Sequence, residues 1–213
     1  MKIIFLSSKN NWIYNKIDTI INKIAKLNHY VKKINHHKKI SKSDILFIIG
    51  YHKIIPTKFL NIAKISLVIH ESNLPKGKGW SPITWSILNN KKKLYFTLFI
   101  ANNKIDSGDI VLQSTIKLNG FEFFNDIKKI QFNETKKICL KFISDYPKIL
   151  DKRKAQIGKS TYFKKRAPID SKISTRKRIS EIFNLLRVSD YKNYPVYFIY
   201  KGKKFKLKLD KYD

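Results

Sequence analysis

A chain of 213 residues, 43% of them hydrophobic and 13% aromatic, can bury the core of one globular domain, alone or with a small appendage. Its formal net charge of +30 would ordinarily indicate a polyanionic partner. The lysines, however, are scattered along the chain and accompany many isoleucines and asparagines, a composition that AT-rich codons produce. A nucleic-acid partner is therefore disfavoured, and anionic small substrates are favoured. The single cysteine, Cys139, excludes an internal disulfide, and no apolar run resembles a signal peptide or reaches the roughly 18 residues of a membrane span, so we expect a cytoplasmic protein without a membrane partner.

The first part of the chain alternates short apolar runs with helical patterns. Residues 2–6, 30–34, 44–50 and 65–69 predict strands, and a short helix is expected after Pro56. The first helix has apolar residues at helical spacing, namely Ile17, Ile20, Ile21, Ile24 and Leu27. Because nearly all-apolar strands alternate with helices, the pattern predicts an α/β fold with a parallel sheet covered on both faces.

The middle of the chain adds two strands and a helical region. Residues 94–101 predict a strand, a polar loop follows over residues 102–109, and residues 110–113 predict the next strand. The apolar residues between positions 121 and 150 indicate a pair of helices broken near Asn133.

The last part of the chain is predicted to be an extension. The charged segment 151–160 lacks large apolar clusters and marks a boundary, so we expect a main domain over residues 1–150 and an extension over residues 151–213. In the extension, Ser174 can cap a helix, and residues 196–209 predict a β-hairpin. The helix is expected to bury Ile179, Ile182, Phe183 and Leu186.

His70 is the histidine whose position indicates chemistry. It ends the apolar run 65–69 and precedes a loop rich in glycine and proline, and ligands of such sheets bind beyond the carboxyl ends of the strands. The other histidines lack the spacing of a helical zinc site, so we predict no metal. His70 is either a capping histidine bonded to a loop carbonyl or a group that moves protons.

A carboxylate partner would favour the second interpretation of His70. Asp106 lies in a short glycine turn between two apolar runs, from which it could face the same crevice. A His–Asp pair holds the tautomer of the imidazole and stabilises its cationic form, as acyl transfer requires. The alternative is that Asp106 only closes an Asx-type turn on its own backbone.

Three segments, in order, resemble the formyltransferases that use N10-formyltetrahydrofolate. Residues 70–75 (HESNLP) resemble the family's His-x-Ser-Leu-Leu-Pro, residues 106–110 (DSGDI) resemble its Asp-x-Gly-x-Ile, and residues 50–56 (GYHKIIP) resemble its folate loop. The resemblance implies a Rossmann-like formyltransferase domain with a mostly parallel sheet, followed by a small C-terminal helix and β-hairpin extension.

The resemblance also implies a mechanism and a set of roles. An amine attacks the formyl carbon, an oxyanion forms and tetrahydrofolate leaves; His70 assists proton transfer and stabilises the oxyanion, while Asp106 orients His70. The residues implied in folate binding are Lys53, Ile54 and Ile55, and the backbone of Asn102, Asn103 and Lys104. Without the resemblance, the two isoleucines would be ordinary core residues and Lys53 a solvated charge.

Val68 departs from the family pattern. The family usually has an asparagine two residues before the histidine, and its amide helps to hold the oxyanion. Losing one such donor typically costs a rate factor on the order of a hundred or more. Either another donor serves, with Ser72, Asn73 or a loop N–H as candidates, or the protein is slow or inactive. The similarity of residues 70–82 to a subgroup that reads HES[D/N]LP and then G[K/R]GWSP favours another donor.

The acceptor is expected to be an amino sugar. The family's tRNA enzymes have a further C-terminal domain, and its glycinamide ribonucleotide enzymes usually keep the asparagine. Residues 166–173 and 184–187 resemble Arg-x-Pro-x-Asp-x-x-Ile and Asn-Leu-Ile-Arg segments of sugar N-formyltransferases of the pseudaminic-acid-pathway type. This similarity predicts a UDP- or dTDP-linked 4-amino-4,6-dideoxy sugar, used in cell-surface glycan biosynthesis.

Three residues of the loop after His70 are candidates for binding this acceptor. Lys76 and Lys78 could meet a diphosphate and Trp80 a sugar or base face, or they could be a solvated loop and a packing anchor. A homodimer is compatible with the resemblance. Three alternatives stay open: a formyltransferase acting on methionyl-tRNA or another amine, a basic nucleic-acid-binding protein, and an inactive relic of the fold.

Overall fold

A central six-stranded sheet organises the computed structural model, which describes residues 1–212. In chain order the elements are β1 Lys2–Leu6, α1 Ile17–Ala25, β2 Tyr30–Ile34, β3 Ser43–Ile48, α2 Thr57–Leu60, β4 Ala63–His70, β5 Lys78–Gly79, α3 Pro82–Leu88, β6 Lys93–Ile100, β7 Ile110–Lys117, α4 Phe124–Asp145, β8 Tyr162–Phe163, α5 Ile179–Arg187, β9 Val196–Tyr200 and β10 Lys203–Leu207. Short 3₁₀ turns follow β2 and α4 and precede α5.

The strand order of the sheet is β2-β1-β3-β4-β6-β7. Strands β2, β1, β3 and β4 pair in parallel, whereas β4 with β6 and β6 with β7 pair antiparallel. The predicted α/β fold with a mostly parallel sheet is therefore confirmed. Strand β6 is as apolar as its parallel neighbours but runs the other way, because an apolar run reports burial on both faces of a sheet and not the direction of the strand.

Strand β4 shows how the two faces of the sheet are used. Ile65, Leu67 and Ile69 point into the larger apolar cluster, where α1 and α4 cover the sheet. Val68 lies between them in sequence and joins the smaller cluster on the opposite face. Side chains alternate along a strand, so His70 shares the face of Val68. Each isoleucine fully buried in this way stabilises the fold by about 1.5–3 kcal/mol.

Helix α4 corrects one prediction. It is a single helix of 22 residues, Phe124–Asp145, and not a pair broken near Asn133. Asn133 lies on the exposed side, where its Oδ1 accepts a hydrogen bond of 3.4 Å from Lys136 Nζ. Asparagine is only a weakly unfavourable helix residue. Because buried positions continue on both sides of it, at Ile127 and Ile138, packing keeps the helix intact.

The extension contains the predicted helix and hairpin, with two corrections. Helix α5 begins at Ile179 with Arg178 as its N-cap, whereas Ser174 accepts a bond from the N–H of Arg176 in a preceding turn. Ile182 and Leu186 are buried as predicted, but Ile179 is 57% exposed and Phe183 half-buried. The residues that follow residue 150 also return to the sheet, because the backbones of Lys154 and Ile110 exchange two hydrogen bonds of 2.7 and 2.8 Å.

Candidate active site

His70, the last residue of β4, is only 8% exposed. Its Nε2 lies 2.9 Å from the carbonyl oxygen of Gly77. A carbonyl can only accept a hydrogen bond, so Nε2 bears a hydrogen and donates it. In the neutral ring, Nδ1 is then the unprotonated nitrogen. The contact with a loop carbonyl, which was one of the two interpretations of His70, is therefore present.

Asp106 lies opposite the other ring nitrogen. Its Oδ2 is 3.9 Å from His70 Nδ1 and accepts a 3.0 Å hydrogen bond from the backbone N–H of Gly79. The 3.9 Å separation is longer than a hydrogen bond, so the two groups face each other without being directly bonded. The fold thus brings together two residues that are 36 positions apart in the sequence, as the motif predicted.

The glycine loop between them contacts both members of the pair, because Gly77 accepts from His70 and Gly79 donates to Asp106. Gly79 has a φ of +94°, and a Cβ there would lie 2.5 Å from the carbonyl oxygen of Phe163. On the Asp106 side, a Cβ on Gly108 would lie 1.6 Å from the carbonyl oxygen of Ile100. Both close approaches require glycine. Sequence reasoning did not assign a role to Gly77 or Gly79, although the two glycines in the loop were a visible signal.

The two loops predicted to bind folate border the face of the sheet that carries Val68. Ile55 from the loop after β3 and Ala101 from the loop after β6 pack, like Val68, against the smaller apolar cluster. Ile54 and Ile105, one on each loop, are 76% and 61% exposed. Lys53, Asn102, Asn103 and Lys104 are also exposed. Each loop thus combines an exposed isoleucine with exposed polar residues, which suits a flat ring system with polar edges.

Val68 offers no hydrogen-bond donor on this face, and the two predicted substitutes differ in access. Ser72 is 6% exposed, and its Oγ has no partner in the described part of the chain. Asn73 is exposed, and its Oδ1 lies 3.4 Å from Gln113 Nε2. The side-chain nitrogen of Asn73 is therefore the more accessible donor.

The predicted acceptor residues are not equally accessible. Lys76 is exposed, whereas Lys78 is 6% exposed and its Nζ lies 5.9 Å from the ring of Tyr162. Trp80 is 40% exposed, with Lys165 Nζ 5.0 Å from its ring centre.

A further side chain beside Trp80 was not predicted from the sequence. The imidazole of His52 is 5.8 Å from the ring of Trp80, and its Nε2 is 2.9 Å from Asn11 Nδ2. Burial, and then the charge of Lys165, hold the pKa of His52 below its ordinary value. Loops that follow β1, β3 and β4 thus converge here, which no local sequence pattern reports.

A partly buried lysine, Lys128, lies near the residue that follows His70. Glu71 accepts a 2.7 Å bond from Gln131 Nε2, and Gln131 Oε1 accepts a 3.1 Å bond from Lys128 Nζ. Lys128 Nζ also lies 4.4 Å from the ring centre of Trp12. Burial lowers the pKa of Lys128 to about 8, although the charge of Glu71 opposes the shift. This chain of contacts joins α4 to the carboxyl end of β4.

Within residues 1–212, no group of three or more His, Cys, Asp or Glu side chains could hold a metal ion, and no helix is long and apolar enough to cross a bilayer. Cys139 is fully buried in the larger apolar cluster, and burial raises the pKa of its thiol.

Comparison with known proteins identifies the family. Residues 2–138 match the family described as formyl transferase, which is more than half of the chain. The chain belongs to the formyl transferase family. The methionyl-tRNA formyltransferase of Pseudothermotoga lettingae is 31% identical over 148 residues, which make up 69% of this chain and 49% of that protein. This formyl transferase family member thus spans about half the length of that curated relative.

Solved structures of formyltransferases have the same fold. The methionyl-tRNA formyltransferase from Clostridium thermocellum has a TM-score of 0.79 at 21% identity, covering 100% of this chain and 94% of that one. A 4-N formyltransferase from Francisella tularensis has a TM-score of 0.71 at 26% identity, covering 99% of both chains. The matches extend over the extension as well as the sheet.

Proposed function

We propose that this formyl transferase family member transfers the formyl group of N10-formyltetrahydrofolate to the amino group of a nucleotide-linked amino sugar, a UDP- or dTDP-4-amino-4,6-dideoxy sugar. The proposal rests mainly on the pair formed by the buried His70 and the partly buried Asp106, with Nδ1 and Oδ2 3.9 Å apart at the carboxyl end of β4. Such a pair suits acyl transfer because it supplies a donor for an oxyanion and a carboxylate that stabilises the ring as a cation.

His70 donates its Nε2 hydrogen to the oxyanion that forms when the amine attacks the formyl carbon. To do so, the ring gives up its 2.9 Å contact with the carbonyl of Gly77. The proton that the attacking amine loses passes to Asp106, directly or through Nδ1 of His70; when the oxyanion collapses, the bond between the formyl carbon and N10 breaks and N10 of the leaving tetrahydrofolate takes up this proton. The exposed amide of Asn73 is our candidate for the second donor that Val68 does not supply.

The donor side of the proposal is supported by the exposed isoleucines of the two loops, Ile54 and Ile105. Exposed Ile54 and half-buried Ile55 would cover one side of the folate ring, and the backbone of residues 102–104 would bond its polar edge. Lys53, exposed at the same loop, suits the negative charge of a folate tail.

The acceptor side is supported by charge and by Trp80. The exposed Lys76, together with Lys165 beside the indole, suits a diphosphate next to a sugar or base that stacks on the ring. Lys78 is buried, so we assign it to holding the loop and not to the diphosphate. The near-complete overlap with a 4-N formyltransferase supports an amine acceptor at a 4-position.

The proposed activity is tested by incubating the full chain with N10-formyltetrahydrofolate and a panel of UDP- and dTDP-linked amino sugars. We expect a formylated sugar, detected by mass spectrometry, with stoichiometric release of tetrahydrofolate. The absence of turnover with every sugar would refute the sugar assignment.

Methionyl-tRNA is a second candidate acceptor because the Pseudothermotoga lettingae relative bears that name at 31% identity. The same assay with charged initiator tRNA distinguishes the two. If only the tRNA is formylated, the acceptor is methionyl-tRNA and not a sugar, and N10-formyltetrahydrofolate remains the donor. If the chain binds folate saturably but transfers no formyl group to either acceptor, it is a folate-binding protein without this activity.

A further inference from the structure

Gln156 holds the turn of Asp106 from outside the part of the chain that matches the family. It lies beyond residues 2–138 and in the predicted extension. Its side-chain Nε2 donates one hydrogen to the carbonyl of Asp106, at 3.1 Å, and the other to the carbonyl of Gly108, at 2.9 Å. Both amide hydrogens of Gln156 are thus donated to the two carbonyls that flank Ser107.

The orientation of this amide follows from its partners. Carbonyls only accept, so the nitrogen must face the turn, and a flipped amide would set its own oxygen against two others. The Oε1 of Gln156 is buried and has no partner in the described residues. An unpaired buried acceptor costs free energy, and this orientation is adopted because the two hydrogen bonds that Nε2 donates more than offset that cost.

The turn depends on such an anchor because its own conformation is unfavourable. Asp106 has a φ of +49°, in the left-handed region that residues other than glycine rarely adopt. Its carboxylate accepts only one hydrogen bond from the described residues, the one from Gly79. The position of the backbone therefore decides where the carboxylate stands relative to His70.

The same segment also holds the loop on the other side of the pair. Thr161 Oγ1 accepts a 2.9 Å bond from the N–H of Gly77, and the carbonyl of Thr161 accepts a 2.9 Å bond from the N–H of Lys78. Residues 154–163 thus fix the Asp106 turn at one end and the glycine loop at the other.

We propose that Gln156 is a positioning residue for formyl transfer: its amide sets the distance and direction from the Asp106 carboxylate to His70. The inference rests on the proposed function in so far as this pair performs the chemistry. It goes beyond that function because it makes a residue of the extension necessary for the rate.

Three substitutions test the donor chemistry at constant length. Gln156→Met keeps the shape without a donor, Gln156→Glu offers acceptors to two carbonyls, and Gln156→Lys restores a donor. We expect Gln156→Met and Gln156→Glu to lower kcat by about tenfold to a hundredfold, since small displacements of catalytic groups have effects of this order. Gln156→Lys should retain more activity than Gln156→Met. Ile157→Ala, at a side chain 87% exposed on the same segment, is the control and should match the wild type.

The folate dissociation constant and the ¹⁵N chemical shifts of the His70 ring are measured on the same proteins. A positioning role leaves the folate affinity of Gln156→Met within about twofold and moves the His70 signals, which report the ring's protonation and hydrogen bonds. An unchanged kcat together with unchanged His70 signals would overturn the proposal. An equal loss of folding, folate binding and rate in all three variants would also overturn it, in favour of a purely structural role.

The ring signals separate this inference from the proposed function. If the wild type transfers no formyl group but the His70 signals still move in Gln156→Met, the proposed function fails, and what stands is that the Gln156 amide sets the position of Asp106 relative to His70. If the wild type is active and Gln156→Met changes neither rate nor signals, the positioning role alone fails.

Discussion

His70 keeps its Nε2 hydrogen on the carbonyl of Gly77, and that contact occupies the donor that an oxyanion would need. At the residue scale, therefore, the proposed chemistry depends on which partner each ring nitrogen meets. The carboxylate of Asp106 faces Nδ1 and would stabilise the ring when it is doubly protonated. A second carboxylate in the same turn, Asp109, instead lies 3.9 Å from Arg153 Nε, so the two aspartates have different environments.

Substituting either member of the pair should remove most of the activity. His70→Asn deletes the donor and Asp106→Asn the opposing charge, and we expect each to lower kcat about a hundredfold or more. Asp109→Asn is the matched control, in the same turn but away from the imidazole, and should stay within about threefold of the wild type. The rate of formyl transfer under saturating donor measures all three. An unaffected rate in either of the first two variants would refute the role assigned to that residue.

Val68 allows the family's missing amide to be restored. Val68→Asn should raise kcat by about tenfold or more if the reaction lacks an oxyanion donor. Because Val68 packs against the smaller apolar cluster, the amide should also lower the free energy of unfolding by about 1–2 kcal/mol. Kinetics and urea denaturation measure the two effects. A rate that does not rise would indicate that another group, such as Asn73, already donates a hydrogen bond to the oxyanion.

At the element scale, loops that are distant in sequence form the site, and the strand ends position them. The turn between β6 and β7 can lie against β6 only because Gly108 has no side chain, and the glycine loop can lie against β8 only because Gly79 has none. Helix α4 approaches the same end of β4 through Lys128, Gln131 and Glu71. Its continuation through Asn133 shows that packing overrides a weak local helix signal.

Lys128 should make stability depend on pH in the alkaline range. Its pKa is about 8 in the folded protein, against 10.5 ordinarily, because burial disfavours the ammonium. Between these pH values the unfolded chain binds more protons, so the free energy of unfolding should rise with pH, by about 2–3 kcal/mol, and this contribution is lost as the pH falls through 8.

Urea denaturation between pH 7.5 and 10.5 checks this dependence. Lys128→Met should flatten the rise, because a neutral side chain of similar length has no proton to lose. Lys137→Met is the control, since the Lys137 side chain is 72% exposed, and it should keep the wild-type slope. If Lys128→Met and wild type rise in parallel, the buried ammonium does not cause the dependence.

At the scale of the whole molecule, the dominant property is the formal net charge of +30. A positive field attracts any anion, so the charge by itself does not distinguish a nucleotide-linked substrate from a nucleic acid. The two do differ in how binding responds to salt. Release of several counterions makes nucleic-acid affinity fall steeply with salt, whereas steering of a small anion mainly changes the association rate.

Salt should therefore act on kcat/KM and hardly on kcat. Between 20 and 300 mM KCl we expect kcat/KM for a nucleotide-linked sugar to fall several-fold, while kcat at saturation stays within about twofold. Steady-state kinetics and a fluorescence assay with single-stranded DNA and tRNA are run over the same series. Sub-micromolar nucleic-acid affinity with a steep salt slope, and no sugar turnover, would instead favour the nucleic-acid-binding alternative.

Apolar periodicity and turn residues are local signals, so they were enough to predict the fold class and the order of the strands along the chain. Two motifs at family-like spacing also predicted that His70 and Asp106 would meet. The antiparallel direction of β6, the intact α4 and the contacts of Gly79 and Gln156 became visible only in the folded chain. These depend on which segments approach one another across the sheet, and a contact between residues 79, 106 and 156 leaves no periodic trace in any one of the three segments.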